Sequence, residues 1–318
     1  MTKRLRALLA GLAGAAVVVF GHGAAQAAPK KLVIEMVTHG EAVDPFWTRI
    51  KNGADLAARQ MNVDLRYRAP NTFNMVKMKD LIQAAVNQHP AGLIVTIPDA
   101  AALGPPIKGA VDDGIPVITM NTGRVPGKKL GTLAYVGEGN YAGGVEAGKR
   151  FAKLGATLGV CLNQEVGQIA LERRCQGFAK GFGHKVITLP TSEDPTTVVS
   201  QIEAFLRTHP GANAILANSA PLGGEPAVKA VEALGLKTKI FIGSFDLSPG
   251  FLQALAQKKA DFALDQQPFL QGYLSVVLMA NYARYGVIPS EYDIPTGPNF
   301  VTPKNAAQVI ALSKKGIR

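Results

Sequence analysis

The chain has 318 residues and a formal net charge of +11, carried by short scattered pairs such as Lys128-Lys129, Lys258-Lys259 and Lys314-Lys315. That pattern excludes a basic stripe for nucleic acid and reads as solvated surface. The length beyond the first 27 residues exceeds a usual single core and predicts two domains.

Lys3, Arg4 and Arg6, an apolar run over residues 7–20 and the small-residue pattern Ala25-Gln26-Ala27 make the three parts of a cleavable export signal. No twin-arginine pair precedes the apolar run, and no cysteine follows to receive a lipid. The mature chain is expected to begin at Ala28, to carry +8, and to be soluble in a Gram-negative periplasm.

From Lys31 the chain alternates strand and helix patterns. Leu32–Val37 is β-branched and apolar, and the stretch Thr38-His39-Gly40-Glu41-Ala42-Val43-Asp44-Pro45-Phe46-Trp47 follows it. Here a carboxylate meets two adjacent aromatics, one of them the chain's single Trp. The pair either staples the next helix, expected over 48–61, to the sheet, or offers an aromatic face to a small polar-edged ligand such as a carbohydrate. A strand pattern over 63–67 leads to a helix over 75–88, whose Met75 and Met78 read as core filling. A strand over 92–97, a helix over 100–113 broken by Gly104-Pro105-Pro106, and a strand over 115–120 complete the first half. Near-continuous apolar strands alternating with helices imply parallel sheets covered on both faces.

The second half repeats the first at an offset near 120–125 residues. His89-Pro90-Ala91-Gly92-Leu93-Ile94 recurs as His209-Pro210-Gly211-Ala212-Asn213-Ala214-Ile215, and Asn52-Gly53-Ala54 as Gln176-Gly177-Phe178. The strand ends Asn121-Thr122-Gly123 and Ser244-Phe245-Asp246 also correspond. A repeat this long means two similar α/β lobes, whose polar strand ends suggest one shared cleft.

Few motifs compete with that picture. Gly137-Glu138-Gly139-Asn140-Tyr141-Ala142 has the G-x-G-x-x-A form of a dinucleotide loop, with Glu165 near the place of a ribose-binding acid. An exported α/β oxidoreductase using that loop is the alternative reading; the other is a crossover between lobes. No G-x-S-x-G elbow, H-E-x-x-H helix or Walker loop is present, and the scattered histidines suggest no metal site. Cys161 and Cys175 sit fourteen residues apart, and in an exported protein a disulfide between them is chemically permitted.

Asp44-Pro45-Phe46-Trp47, the run Gly114–Asn121 in one-letter form GIPVITMN, the run LERRCQGF over 171–178, Ile215-Leu216-Ala217-Asn218, Ile242-Gly243-Ser244-Phe245-Asp246 and Asp265-Gln266-Gln267-Pro268 occur in that order. Together they resemble the periplasmic solute-binding proteins of ABC importers, in the ribose-binding-like group. The resemblance implies a type I fold: two similar doubly wound parallel-sheet lobes joined by a three-segment hinge near 136–138, 266–268 and 293–296. It places one lobe at 28–136 plus 267–294 and the other at 137–266 plus 295–318, after a signal peptide at 1–27. The implied ligand is a sugar or sugar alcohol, delivered to a membrane permease, with no cofactor and no catalysis. A monomer is expected, and a chemoreceptor is a possible second partner.

Position by position, Phe46 and Trp47 match the first lobe's aromatic pair, and Asp44 falls where pentose binders carry Asn. Arg174 matches the second lobe's fork-shaped donor, and Asn218, Asp246 and Gln266 its polar strand ends. Asn121 stands where sugar binders have an Asp, and Thr122 replaces the Arg that follows it. The second lobe's aromatic falls near Asp194-Pro195. His39, beside the first loop, is a further candidate contact. For Arg174, a surface ion pair with Glu172 or Glu165 is the competing reading.

Overall fold

The computed structural model describes residues 31–40 and 44–318. The expected export signal and Glu41-Ala42-Val43 of the first loop lie outside the described residues.

The first half runs β1 (Leu32–Val37), α1 (Pro45–Gln60), β2 (Val63–Arg68), α2 (Met75–Val86), β3 (Gly92–Val95), α3 (Ala100–Asp112), β4 (Val117–Met120), α4 (Arg124–Leu130) and β5 (Ala134–Gly137). The second runs α5 (Asn140–Lys153), β6 (Leu158–Asn163), α6 (Ile169–Phe182), β7 (Lys185–Pro190), α7 (Pro195–Thr208) and β8 (Ala214–Ala217). A π-helical turn (Ala220–Gly224), α8 (Glu225–Leu234), β9 (Phe241–Phe245), α9 (Pro249–Ala256) and β10 (Phe262–Asp265) complete it. Last come α10 (Pro268–Tyr285), β11 (Asp293–Pro295), β12 (Asn299–Val301) and α11 (Ala306–Ser313).

Two six-stranded sheets result, ordered β11-β5-β4-β3-β1-β2 and β12-β10-β9-β8-β6-β7. The two orders are the same when β1 is set against β6, which is the physical content of the sequence repeat. All pairings are parallel except β10 with β12. The chain passes between the sheets after β5, after β10 and after β11. The third passage follows Pro295, where Asp293–Pro295 is held in register with Tyr135–Gly137 of β5.

β3, β4, β5, β8 and β10 are buried along their whole length, as parallel strands covered on both faces must be. Helix pairs close on each sheet by backbone contact. A methyl added at Gly53 of α1 would lie 1.9 Å from the Phe269 carbonyl of α10, and one at Gly177 of α6 would lie 2.2 Å from the Tyr141 carbonyl of α5. Gly53 and Gly177 are matched positions of the repeat, so each half uses glycine for the same close approach. At Gly144 of α5 the added methyl would meet the Arg174 carbonyl at 2.2 Å, so the α5–α6 contact also sets the backbone of Arg174.

Two local expectations need correction. α3 is not broken at Gly104-Pro105-Pro106 but continues to Asp112. The two prolines remove amides that would have bonded to the carbonyls of Ala101 and Ala102, and these residues are exposed and half-buried, where water can serve instead. Pro106 itself is buried. α1 starts at Pro45, three residues earlier than expected, because Asp44 caps it and Pro45 occupies a first-turn position whose amide is not needed.

Gly177→Ala is expected to destabilise the protein by about 1–3 kcal/mol, since a backbone oxygen blocks the methyl. Gly109→Ala on α3, with nothing within 4 Å of the added methyl, is expected to gain up to ~1 kcal/mol from helix propensity. Urea unfolding of both variants measures the contrast.

Candidate functional site

Both sheets are doubly wound, and their strand order reverses between β1 and β3 and between β6 and β8. Strand ends at such a switch leave a crevice. Asn121, after β4, and Asp246, after β9, occupy matching rim positions with φ of 63° and 68°. Their amides bond to Val136 and Leu264 of the neighbouring strands. Asn and Asp tolerate this left-handed conformation better than most side chains, which accounts for the repeat of an Asx residue there.

His39, Asp44, Phe46, Trp47, Asn121, Arg174, Asn218, Asp246 and Gln266, the candidates named from sequence, are brought together around one cleft. Gln164, Glu165, Gln168, Leu171 and Ser219 line it as well. The Gln residues lie in the loop between β6 and α6, where sequence pattern marks a turn but not its direction. The Ile169 amide donates to the Pro98 carbonyl at 3.2 Å, joining the two rims. The side chains of the two rims lie close together and leave little room between them.

On the first rim, Trp47 packs edge-on against His39 at 4.6 Å and against Phe46 at 5.2 Å. The rings are buried in the first half's core, as the staple reading expects, and they also line the cleft. His39 Nδ1 pairs with Thr96 Oγ1 at 2.8 Å. Burial, with Arg174 nearby, lowers the His39 pKa to about 3, so the ring is neutral. Asp44 Oδ1 accepts from the Phe46 amide at 2.8 Å while the residue lines the cleft, and burial raises its pKa. Capping and a place in the cleft therefore coexist.

On the second rim, Arg174 is only 3% exposed, which removes the surface ion-pair reading. Its Nε donates to Asn140 Oδ1 at 2.8 Å and its Nη1 to the Asn218 carbonyl at 3.0 Å. The guanidinium lies 4.1 Å from the centre of the Phe245 ring. Asn218 Nδ2 donates to the Leu162 carbonyl at 3.0 Å, and Gln266 Nε2 donates to Asp246 Oδ1. Cys161 and Cys175 are joined by a disulfide directly beneath Asn218, whose Nδ2 is 3.5 Å from Cys175 Sγ. Asp194-Pro195 begins α7 at an exposed position, and Leu171 is the apolar residue that lines the cleft at this rim.

Glu138, near Arg174 and Asp246 but not lining the cleft, was not anticipated. It is fully buried, with neither carboxyl oxygen hydrogen-bonded. Burial raises its pKa to about 8 against the opposing pull of Arg174, and raises that of Asp246 to about 7 in the same way. Its only sequence signal was its place between two glycines. A methyl at Gly143, in the first turn of α5, would come 2.3 Å from Glu138 Oε1. The loop is a passage between the two sheets, and nothing among the described residues supports the oxidoreductase reading.

Among the described residues, no group of His, Cys, Asp and Glu is arranged to hold a metal. Facing strand ends from two doubly wound sheets, with aromatics on one rim and a buried arginine on the other, define a two-lobed solute-binding protein. Residues 34–286 match the periplasmic binding protein domain, and the chain belongs to that family.

Its relatives include the xylose/arabinose-binding protein of Sulfolobus acidocaldarius, 25% identical over 290 residues that cover 85% of this chain and 71% of that one. The ribose import binding protein of Bacillus subtilis is 27% identical over 241 residues, 73% of this chain and 75% of its own. A carbohydrate transporter from Acidothermus cellulolyticus, solved in complex with myo-inositol, superposes with a TM-score of 0.86 at 34% identity, covering 91% of this chain and 100% of that one. A solute-binding protein of Burkholderia graminis in complex with D-arabinose gives 0.78 at 25% identity, over 87% and 96% of the two chains.

Carboxyls whose pKa is raised in the folded state bind more protons folded than unfolded, so their contribution to stability is present at low pH and lost as pH rises towards the folded pKa. Between pH 7 and 8, where unfolded histidine is already largely neutral, Glu138 and, at the lower end, Asp246 make stability fall with pH. Thermal melts across that range are expected to slope downward for the native protein and less steeply for Glu138→Gln.

Proposed function

We propose that this protein is the periplasmic solute-binding component of an ABC importer, capturing a sugar or sugar alcohol between its two halves and presenting it to a membrane permease. The observation that carries the reading is the convergence of aromatic and polar strand-end groups from both sheets on one cleft, in a chain 34% identical to a protein solved with myo-inositol. The export pattern over residues 1–27 supports a periplasmic location. The role is binding and release without catalysis, by a monomer; docking to a chemoreceptor is compatible with it.

The lobes at 28–136 plus 267–294 and at 137–266 plus 295–318 move as units about the three passages. The rims lie close together with little room between them, so the rims part for entry, and closure is the state a permease reads as loaded. Phe46 and Trp47 supply the apolar face, Arg174 donates to ring oxygens or hydroxyls, and Asp44, Asn121, Asn218, Asp246 and Gln266 meet hydroxyl groups, with His39 at the edge.

A thermal-shift screen of the mature protein against pentoses, hexoses and cyclitols is expected to give at least one ligand that raises the melting temperature. Arg174→Ala and Asp246→Ala should each weaken that ligand by about 10- to 100-fold, the loss of one charge-assisted hydrogen bond. Normal binding by both variants would overturn the site. Small-angle scattering should show compaction on adding ligand.

A further inference from the structure

The segment after α11 joins the two halves away from the cleft. Ala306 and Val309 of α11 sit in the second half's core, and Ile50 and Ala54 of α1 in the first half's. The Gly316 amide donates to the Ser313 backbone oxygen and the Ile317 amide to that of Leu312. These bonds fold the segment back onto the end of α11, so it belongs with the second half. Its outer side, however, lies on α1. Arg49 Nη2 donates to Ser313 Oγ at 3.2 Å and Nε to the Arg318 backbone oxygen at 3.0 Å, while Asn52 Nδ2 donates to the Gly316 backbone oxygen at 3.3 Å. Gly316 has a φ of 68°, and a methyl added there would lie 2.7 Å from Asn52 Nδ2. Glycine thus lets the chain come this close.

Arg318 makes the join two-sided. Its backbone oxygen accepts from the first half, and its side chain pairs with Asp265 at the end of β10, Nε at 2.7 Å and Nη2 at 2.6 Å from Oδ2. Asp265 Oδ1 accepts from the Gln267 amide at 2.8 Å, so the pair sits at the second passage between the sheets. Arg49, Ser313 and Asp265 are all buried, where charge-assisted hydrogen bonds are strong. Arg49 follows Phe46 and Trp47 near the start of α1. Burial lowers its pKa, and the carboxyls of Asp246, Asp44 and Asp265 oppose that, which puts this cation within electrostatic reach of both rims. Neither Arg49 nor Arg318 lines the cleft.

Resting on the hinged, sugar-binding reading above, we propose that residues 313–318 form a strap that fastens the closed halves and slows the release of solute without touching it. The chain crosses between the sheets three times; the strap is a fourth join, and a breakable one. Swinging α1 away from the end of β10 parts either the Arg49 bonds or the Arg318–Asp265 pair. Contacts made only in the closed form shift the balance towards it, and a solute held by that form gains affinity by the same factor.

Two full-length variants test the strap. Arg318→Ala removes the pair with Asp265, whereas Asn52→Ala with Ser313→Ala cuts the holds on α1 and leaves that pair intact. Small-angle scattering of the ligand-free protein reads the balance of open and closed forms. Stopped-flow fluorescence of Trp47 reads the release of myo-inositol and of D-arabinose. Both variants are expected to show a larger radius of gyration when free. Release should quicken about tenfold in Arg318→Ala and about threefold in the double variant, by the same factor for each sugar that binds. Arg318→Lys, which keeps the charge, should recover part of the loss. A larger radius or a faster release in both variants bears the strap out. If neither changes in the double variant, the strap is overturned, because an effect of Arg318→Ala alone reports only the uncompensated Asp265. If neither sugar binds, the sugar reading loses its support, and the scattering of the free protein decides the strap by itself.

Discussion

One buried guanidinium organises the cleft. Taking Arg174 out of water costs several kcal/mol even after relaxation, and only hydrogen bonding and charge can offset that. Asn140 Oδ1, the Asn218 carbonyl and the face of Phe245 hold it. These partners come from the first turn of α5, the end of β8 and the end of β9, so one side chain fixes three elements against each other. Its charge then reaches across the rims. It helps keep His39 neutral and opposes the burial that would protonate Asp246 and Glu138.

The backbone makes that placement possible before any polar contact forms. Gly144 and Gly177 let α5 and α6 touch through main-chain atoms, which brings residue 174 inward from a helix that would otherwise stand a side chain further off. Gly53 does the same for α1 against α10 and so positions the turn that carries Asp44, Phe46 and Trp47. The duplicated sheet order places both helix turns at facing strand ends. Apolar packing and close helix contact therefore fix where the polar groups stand, and the polar groups fix what they can hold.

Much of this was legible in the residues. Fully buried parallel strands declare themselves as apolar runs, and a repeated Asx at equivalent strand ends reports a shared backbone conformation, so the fold and the polar rim followed from pattern. Asp44 was harder, because capping and a place in the cleft call for the same residue type, and only the fold shows that one residue has both. The prolines of α3 were misread because a helix tolerates them where water reaches the freed carbonyls, and exposure is a tertiary property. Glu138 left no trace for the same reason: whether a carboxylate between two glycines is solvated or buried depends on α5 folding over it. Gln164 and Gln168 sit on a loop whose direction is set by the β6–α6 junction, which no local pattern encodes.

The disulfide beneath Asn218 sets the two rims apart. Cys161 and Cys175 tie the strand and the helix that together present Asn163, Leu171 and Arg174, so the second rim is covalently braced whether or not the halves meet. The first rim depends on a capped helix turn and packed rings, with no such tether. The two rims of one cleft are thus built to different standards, one stapled covalently and the other held by packing and a helix cap.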